Sequence, residues 1–80
     1  MNTILTIDGI NLNNEAKVFR LIGNAGYDGA HQWKDDCSIT LNIQDKEFRQ
    51  KAGIREIEVT SMIGNLILKL GCTVEVKHEG

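Results

Sequence analysis

The chain has 80 residues, enough for one domain (1–80) with a small core; a domain of this size buries only about 60–65% of its unfolded surface. Hydrophobic residues make up 41% and the formal net charge is −2, with acids and bases interspersed, so the pattern excludes both a basic nucleic-acid tail and an acidic block. No apolar run is long enough to cross a bilayer, and Met1 opens into a strand-like pattern rather than a signal peptide, so a cytoplasmic protein with no membrane partner is expected.

Thr3-Ile4-Leu5-Thr6-Ile7 reads as a first strand, closed by a turn at Asp8-Gly9. Asn13 or Asn14 suits a helix N-cap, with Glu15 in the first turn. Val18, Leu21, Ile22 and Ala25 follow at helical spacing with Phe19 beside them, and Gly26 can end the helix in the left-handed conformation. Residues 24–36, NAGYDGAHQWKDD, show neither helical nor strand periodicity and are expected to form a long loop.

Cys37, Ile39, Leu41 and Ile43 alternate with Ser38, Thr40, Asn42 and Gln44, the pattern of a strand with one buried face. Asp45 can cap a short helical piece carrying Phe48 and Ala52 and ended by Gly53. Arg55, Ile57 and Val59 against Ile54, Glu56 and Glu58 suggest a third strand. Thr60 or Ser61 then caps a second helix with Met62, Ile63, Leu66, Ile67 and Leu70 as its apolar stripe and Gly71 beyond its end. Cys72, Val74, Val76 and His78 alternate in a last strand.

The expected class is α+β, a four-stranded antiparallel sheet with two helices on one face, in a ferredoxin-like β-α-β-β-α-β order. Right-handed crossovers would place the last strand beside the first, the Ile54–Val59 strand next, and the Cys37–Gln44 strand outermost. An N-terminal β-hairpin, TILTI-DG-INL, is the alternative.

Motifs for chemistry are sparse. His31-x5-Cys37 and Cys72-x5-His78 mirror each other, but residues six apart on a strand lie about 20 Å apart, too far to share a zinc. No metal and no cofactor is therefore expected. Cys37 could pair with His31 as a nucleophile, but Asp35 and Asp36 beside it would raise its pKa. Both cysteines are expected as reduced, buried thiols, unbridged because they fall on opposite sheet edges. Asp35-Asp36 reads as a solvated turn. Gly23, Gly26 and Gly29 match no phosphate-binding motif. The chain is not expected to be an enzyme.

Two surfaces remain. Tyr27, Asp28, His31, Gln32, Trp33, Asp35 and Asp36 gather the only Tyr and the only Trp in the loop, as residue types enriched at interface hot spots. They are the candidate partner-binding set, against the plainer alternative that Trp33 folds back over an end of the core with Tyr27 packed on the first helix. Ser38, Thr40, Asn42 and Gln44 are neutral and free of Pro and Gly, and on an outermost strand would offer an unguarded edge for a homodimer. Lys46, Arg49, Lys51 and Arg55 form a basic stripe that Asp45, Glu47, Glu56 and Glu58 dilute. The expected outward sheet positions, Ile4, Thr6, Ser38, Thr40, Asn42, Glu56, Glu58, Thr73, Glu75 and Lys77, include no aromatic to stack a base.

The hexapeptide NAGYDG (24–29) resembles a stretch of a phage-type anti-CRISPR protein that inhibits a type II-C nuclease. The resemblance covers six of 80 residues and specifies no fold. It implies a small inhibitor of a bacterial defence complex. The function expected from the sequence is a small non-enzymatic interaction protein, phage- or plasmid-type, that binds a larger protein partner and regulates or inhibits it. The alternative is a nucleic-acid-binding module using the basic stripe.

Overall fold

A computed structural model describes residues 2–43 and 56–79. Strand β1 (Asn2–Asp8) leads into helix α1 (Glu15–Asn24), then β2 (Gln32–Asp35) and β3 (Ser38–Asn42). Helix α2 (Glu56–Leu68) and β4 (Thr73–Glu79) complete the described chain. The fold is α+β, as the alternating and helical patterns require. The four strands form one sheet in the order β2-β3-β1-β4, with all neighbours antiparallel.

Register puts Leu5 opposite Leu41 and Val76, and Ile7 opposite Ile39 and Val74. These share one face of the sheet, because side chains alternate along a strand and opposed residues point the same way. Leu5, Ile7, Ile39 and Leu41 there meet Val18 and Ile22 of α1 and Met62 and Leu66 of α2 in one buried cluster. Both helices therefore cover the same face. The other face carries Ile4, Thr6, Gln32, Thr40, Glu75 and Lys77.

The end of α1 is set by a reciprocal pair of backbone bonds. The Tyr27 N–H donates to the Ile22 carbonyl at 3.0 Å and the Gly26 N–H to Gly23 at 2.9 Å. Gly26 takes φ 90°, a conformation that costs glycine nothing. Asn14 is the N-cap, but its side chain serves elsewhere. Its Oδ1 accepts from Asn11 N at 2.8 Å, and its Nδ2 donates to the carbonyls of Gly9 (3.1 Å) and Leu70 (3.3 Å). One buried amide thus ties the β1–α1 turn to the α2–β4 turn.

Four expectations are corrected. Residues 24–36 are not a structureless connection, because Gln32–Asp35 pairs with β3. The described part of the expected Ile54–Val59 strand, from Glu56 on, is helical: it belongs to α2, whose apolar positions Val59, Met62, Ile63 and Leu66 follow i, i+3, i+4, i+7 straight through Thr60 and Ser61. The expected ferredoxin-like assignment, with Cys37–Gln44 outermost, does not hold, since β3 lies inside the sheet between β2 and β1. An Asp8-Gly9 hairpin is also absent: Gly9 turns at φ 89°, but Ile10 drops into the core instead of starting a strand. The short helical piece expected over Asp45–Gly53 lies outside the described residues. Among the described residues no helix is long and apolar enough to cross a membrane.

Candidate functional site

The seven expected partner-binding residues divide sharply. Tyr27 has no exposed surface, and its hydroxyl donates 2.7 Å to the Ile43 carbonyl, so it is core. Five of the others are exposed: Asp28, Gln32, Trp33, Asp35 and Asp36. His31 is half-buried.

Trp33 stands on edge strand β2, opposite Ile39 and so on the helix-bearing face. It remains 49% exposed. Its ring meets Phe19 of α1 edge-on at 5.8 Å between centroids, and Phe19 in turn packs on His31 at 4.6 Å. His31 and Trp33 are themselves near perpendicular at 6.3 Å. The Nδ1 atom of His31 is buried with no hydrogen-bond partner among the described residues. The indole is thus propped from behind by two rings while half of it faces water. Trp33, Lys34, Asp35 and Asp36 line a shallow depression of about 390 Å³. The β2–β3 pairing shifts register between Trp33 and Asp35, a bulge that twists the edge beside the indole.

The next turn holds the one described group of reactive side chains. Asp35 Oδ1 accepts from Ser38 Oγ at 2.6 Å, Cys37 N at 2.9 Å and Cys37 Sγ at 3.3 Å. The Ser38 bond, then the two Cys37 bonds, hold the Asp35 carboxyl at about 2, well below the usual range. Asp8 Oδ1 also lies 3.5 Å from Cys37 Sγ. Bonding to Asp35 first and Asp8 second pushes the Cys37 thiol up. Such a thiol is a poor nucleophile even though it is exposed.

The expectation that Cys37 is a buried thiol is corrected. It is exposed because β3 begins one residue later, leaving Cys37 in the turn with its carbonyl accepting from Ile10 N at 2.9 Å. Cys72 is buried as expected, and both thiols are free. Ser38 and Thr40, expected on an open edge, are flanked on both sides by paired strands, and Asn42 pairs with Ile4 of β1. Ser38 is buried, and Thr40 and Asn42 are half-buried. The edge expected for a homodimer is occupied by β2 from Ser38 to Thr40. Gln44, Lys46, Arg49, Lys51 and Arg55 lie outside the described residues.

Sequence reasoning did not find the groove between the helices. Lys17, Arg20, Leu21, Asn65, Lys69 and Leu70 line about 170 Å³ there, with three cations around an apolar floor. Its members are scattered over 54 positions, so only the packing of α1 on α2 assembles them. The hexapeptide NAGYDG ends α1 and inserts Tyr27 into the core.

Comparison of the chain with protein-family models, with curated proteins and with solved structures finds no match.

Proposed function

We propose that this chain is a small non-enzymatic interaction module of the cytoplasm that binds a larger protein partner through the Trp33 end of its sheet and so regulates or inhibits it. The observation that carries this is a half-exposed indole backed by the rings of Phe19 and His31. A ring fixed before binding loses little conformational entropy on contact, which is what an anchor residue needs. Asp28, Asp35, Asp36 and Lys34 around it supply a polar rim. Two carboxylates against the Cys37 sulfur, Asp35 at 3.3 Å and Asp8 at 3.5 Å, disfavour a thiolate there and speak for a binding role over covalent catalysis at this end. The interleaved connectivity, with β3 between β1 and β2 and β1 between β3 and β4, supports a ferredoxin-like class built from other strands than the sequence pattern suggests. Inhibition of a bacterial defence complex is one form the function could take.

The test is capture of a partner from the native host by the wild type and by Trp33→Ala. Loss of about 2 kcal/mol of binding or more, with the fold intact, is expected of an anchor. Unchanged binding by a folded Trp33→Ala protein would leave the indole as a packing residue only.

A second reading, nucleic-acid binding, is favoured by the groove with Lys17, Arg20 and Lys69. Affinity through phosphates falls steeply with added salt, while an aromatic hot spot is far less sensitive. A salt titration of the captured complex therefore separates the two.

A further inference from the structure

We propose that β4 is a self-association edge, pairing antiparallel with β4 of a second copy about a two-fold axis at Val76, so that two sheets join into one of eight strands.

The outer edge of β4 is long and regular. Its seven residues pair with β1 without a shift, from Asn2 opposite Glu79 to Asp8 opposite Thr73. No described strand lies beyond it. An edge of this kind presents a row of unpaired N–H and C=O groups to any chain that can match it.

The sequence of β4 selects its own copy in one register. Opposed residues must point to the same face, so a two-fold pairing has to centre on a residue. Centred on Val76, all seven residues overlap: Thr73 meets Glu79, Val74 meets His78, and Glu75 meets Lys77 of the copy twice. Centred on Glu75, two carboxylates face each other. Centred on Lys77, two ammonium groups do, and Glu75 faces Glu79 twice. Centres at Val74 or His78 keep only three residues of overlap within the strand. The charges that block generic strand addition are therefore complementary in the single register of fullest overlap. Exposed pairs of this kind contribute little affinity, but they fix alignment. The Lys77–Glu79 pair within one strand is a weak competitor, at 4.0 Å with both side chains more than half exposed.

Apolar surface lies where this pairing would cover it. Val76 is 47% exposed on the helix-bearing face, and Ile67 of the adjoining α2 is 45% exposed. On the axis the two Val76 side chains would meet directly. The resulting order, β2-β3-β1-β4 followed by its mirror sequence in the copy, puts both Trp33 ends outermost, roughly 34 Å apart across seven inter-strand steps. Self-association would then leave both indoles free.

The test is the mass of the full chain in solution at high micromolar concentration, by sedimentation equilibrium. A dimer is expected. Glu75→Lys and Lys77→Glu should each weaken it by about tenfold or more, since each turns two attractive pairs into repulsive ones. An equal mixture of those two single variants should form a heterodimer, because positions 75 and 77 are then both basic in one chain and both acidic in the other. The double variant should regain the homodimer. As a check that does not depend on charge, Val76→Cys in a Cys37→Ser background should form an intermolecular disulfide, because opposed antiparallel residues have Cα atoms about 4.5–5.5 Å apart. A wild type that stays monomeric overturns the proposal. So does a dimer that neither reversal weakens, or one in which Val76→Cys does not cross-link.

Discussion

The two edges of the sheet are built in opposite ways. At one, β2 has four residues, all exposed, and a bulge at its middle. Its distinguishing feature is a side chain, the indole of Trp33, propped by Phe19 and His31. At the other, β4 has seven residues, no shift in register and alternating charges on its open face. Its distinguishing feature is the backbone. A short bulged strand is a poor template for another strand, while a long straight one is a good template. The difference teaches that one small sheet can offer a side-chain anchor at one border and a main-chain ladder at the other without either use obstructing the other.

Each border rests on a different buried fastening, and breaking these should give the largest effects. Tyr27 lies in the lead-in to β2, buried and bonded to the Ile43 carbonyl just beyond β3. Tyr27→Ala should destabilise the fold by about 3–5 kcal/mol, the range for removing a buried aromatic. Tyr27→Phe should cost about 1–2 kcal/mol, because the Ile43 carbonyl then loses its donor. Denaturant unfolding with equal slopes for the variants checks both. Near-wild-type stability for Tyr27→Ala would return Tyr27 to the surface and undo the division of the aromatic segment into core and exposed parts.

The β4 end is fastened by Asn14, which ties the Gly9 carbonyl of the β1–α1 turn to the Leu70 carbonyl of the turn into the strand. Asn14→Ala should cost about 2 kcal/mol through the unsatisfied carbonyls. Amide exchange should show faster opening at Thr73–Val74 than at Gln32–Trp33. Faster opening at β2 instead would mean that the two ends are not independently held.

How much of this comparison was legible in the sequence depends on how regular each element is. β1, α1, β3 and β4 carry long unbroken patterns, and the expected segments fall on them. β2 escaped because four exposed residues with no apolar alternation leave no period to detect; only the β-favouring Trp33 hinted at a strand. Val59 misled in the other direction. With Ile57 and Arg55 it completes a short alternation, but it also begins the helical series to Leu66, and the longer series prevails because α2 buries Met62 and Leu66 against the sheet. These two errors together moved the expected edge from β2 to β3. Of the candidate site, Trp33 was visible as a residue type. Its backing by Phe19 was not, since that contact joins residues 14 positions apart on different elements.

Smaller effects sharpen the account of the β2 end. Trp33→Ala should lower stability by about 1 kcal/mol, since half the ring is already solvated and only its edge contacts with Phe19 and His31 are lost. A loss as large as that of Tyr27→Ala would make Trp33 a core residue.

In the adjacent turn, the ionised Asp35 carboxylate is favoured by folding, because its pKa lies at about 2, below its ordinary 3.8. Its contribution is therefore full above about pH 4 and disappears as pH falls toward 2. Carboxyl titration by NMR should place the midpoint near 2, and Ser38→Ala should move it upward. Cys37 shifts the other way, so its protonated form is favoured up to and beyond its ordinary value of 9.0 and the thiol bonds are lost as pH rises through the raised pKa. Alkylation of native protein at pH 8 should be slow at Cys37 despite its exposure, and faster in Asp8→Asn. Equal rates in the two proteins would remove Asp8 from the environment of the thiol.

The central claim is that the two edges serve different partners, and one paired measurement tests it directly. Trp33→Ala and Glu75→Lys are compared with the wild type for two properties, partner capture from the native host and mass by sedimentation. The account predicts that Trp33→Ala remains a dimer and loses the partner, while Glu75→Lys becomes a monomer and keeps it. A Trp33→Ala protein that still holds the partner, or a Glu75→Lys protein that has lost it while folded, would contradict the separation of the two edges.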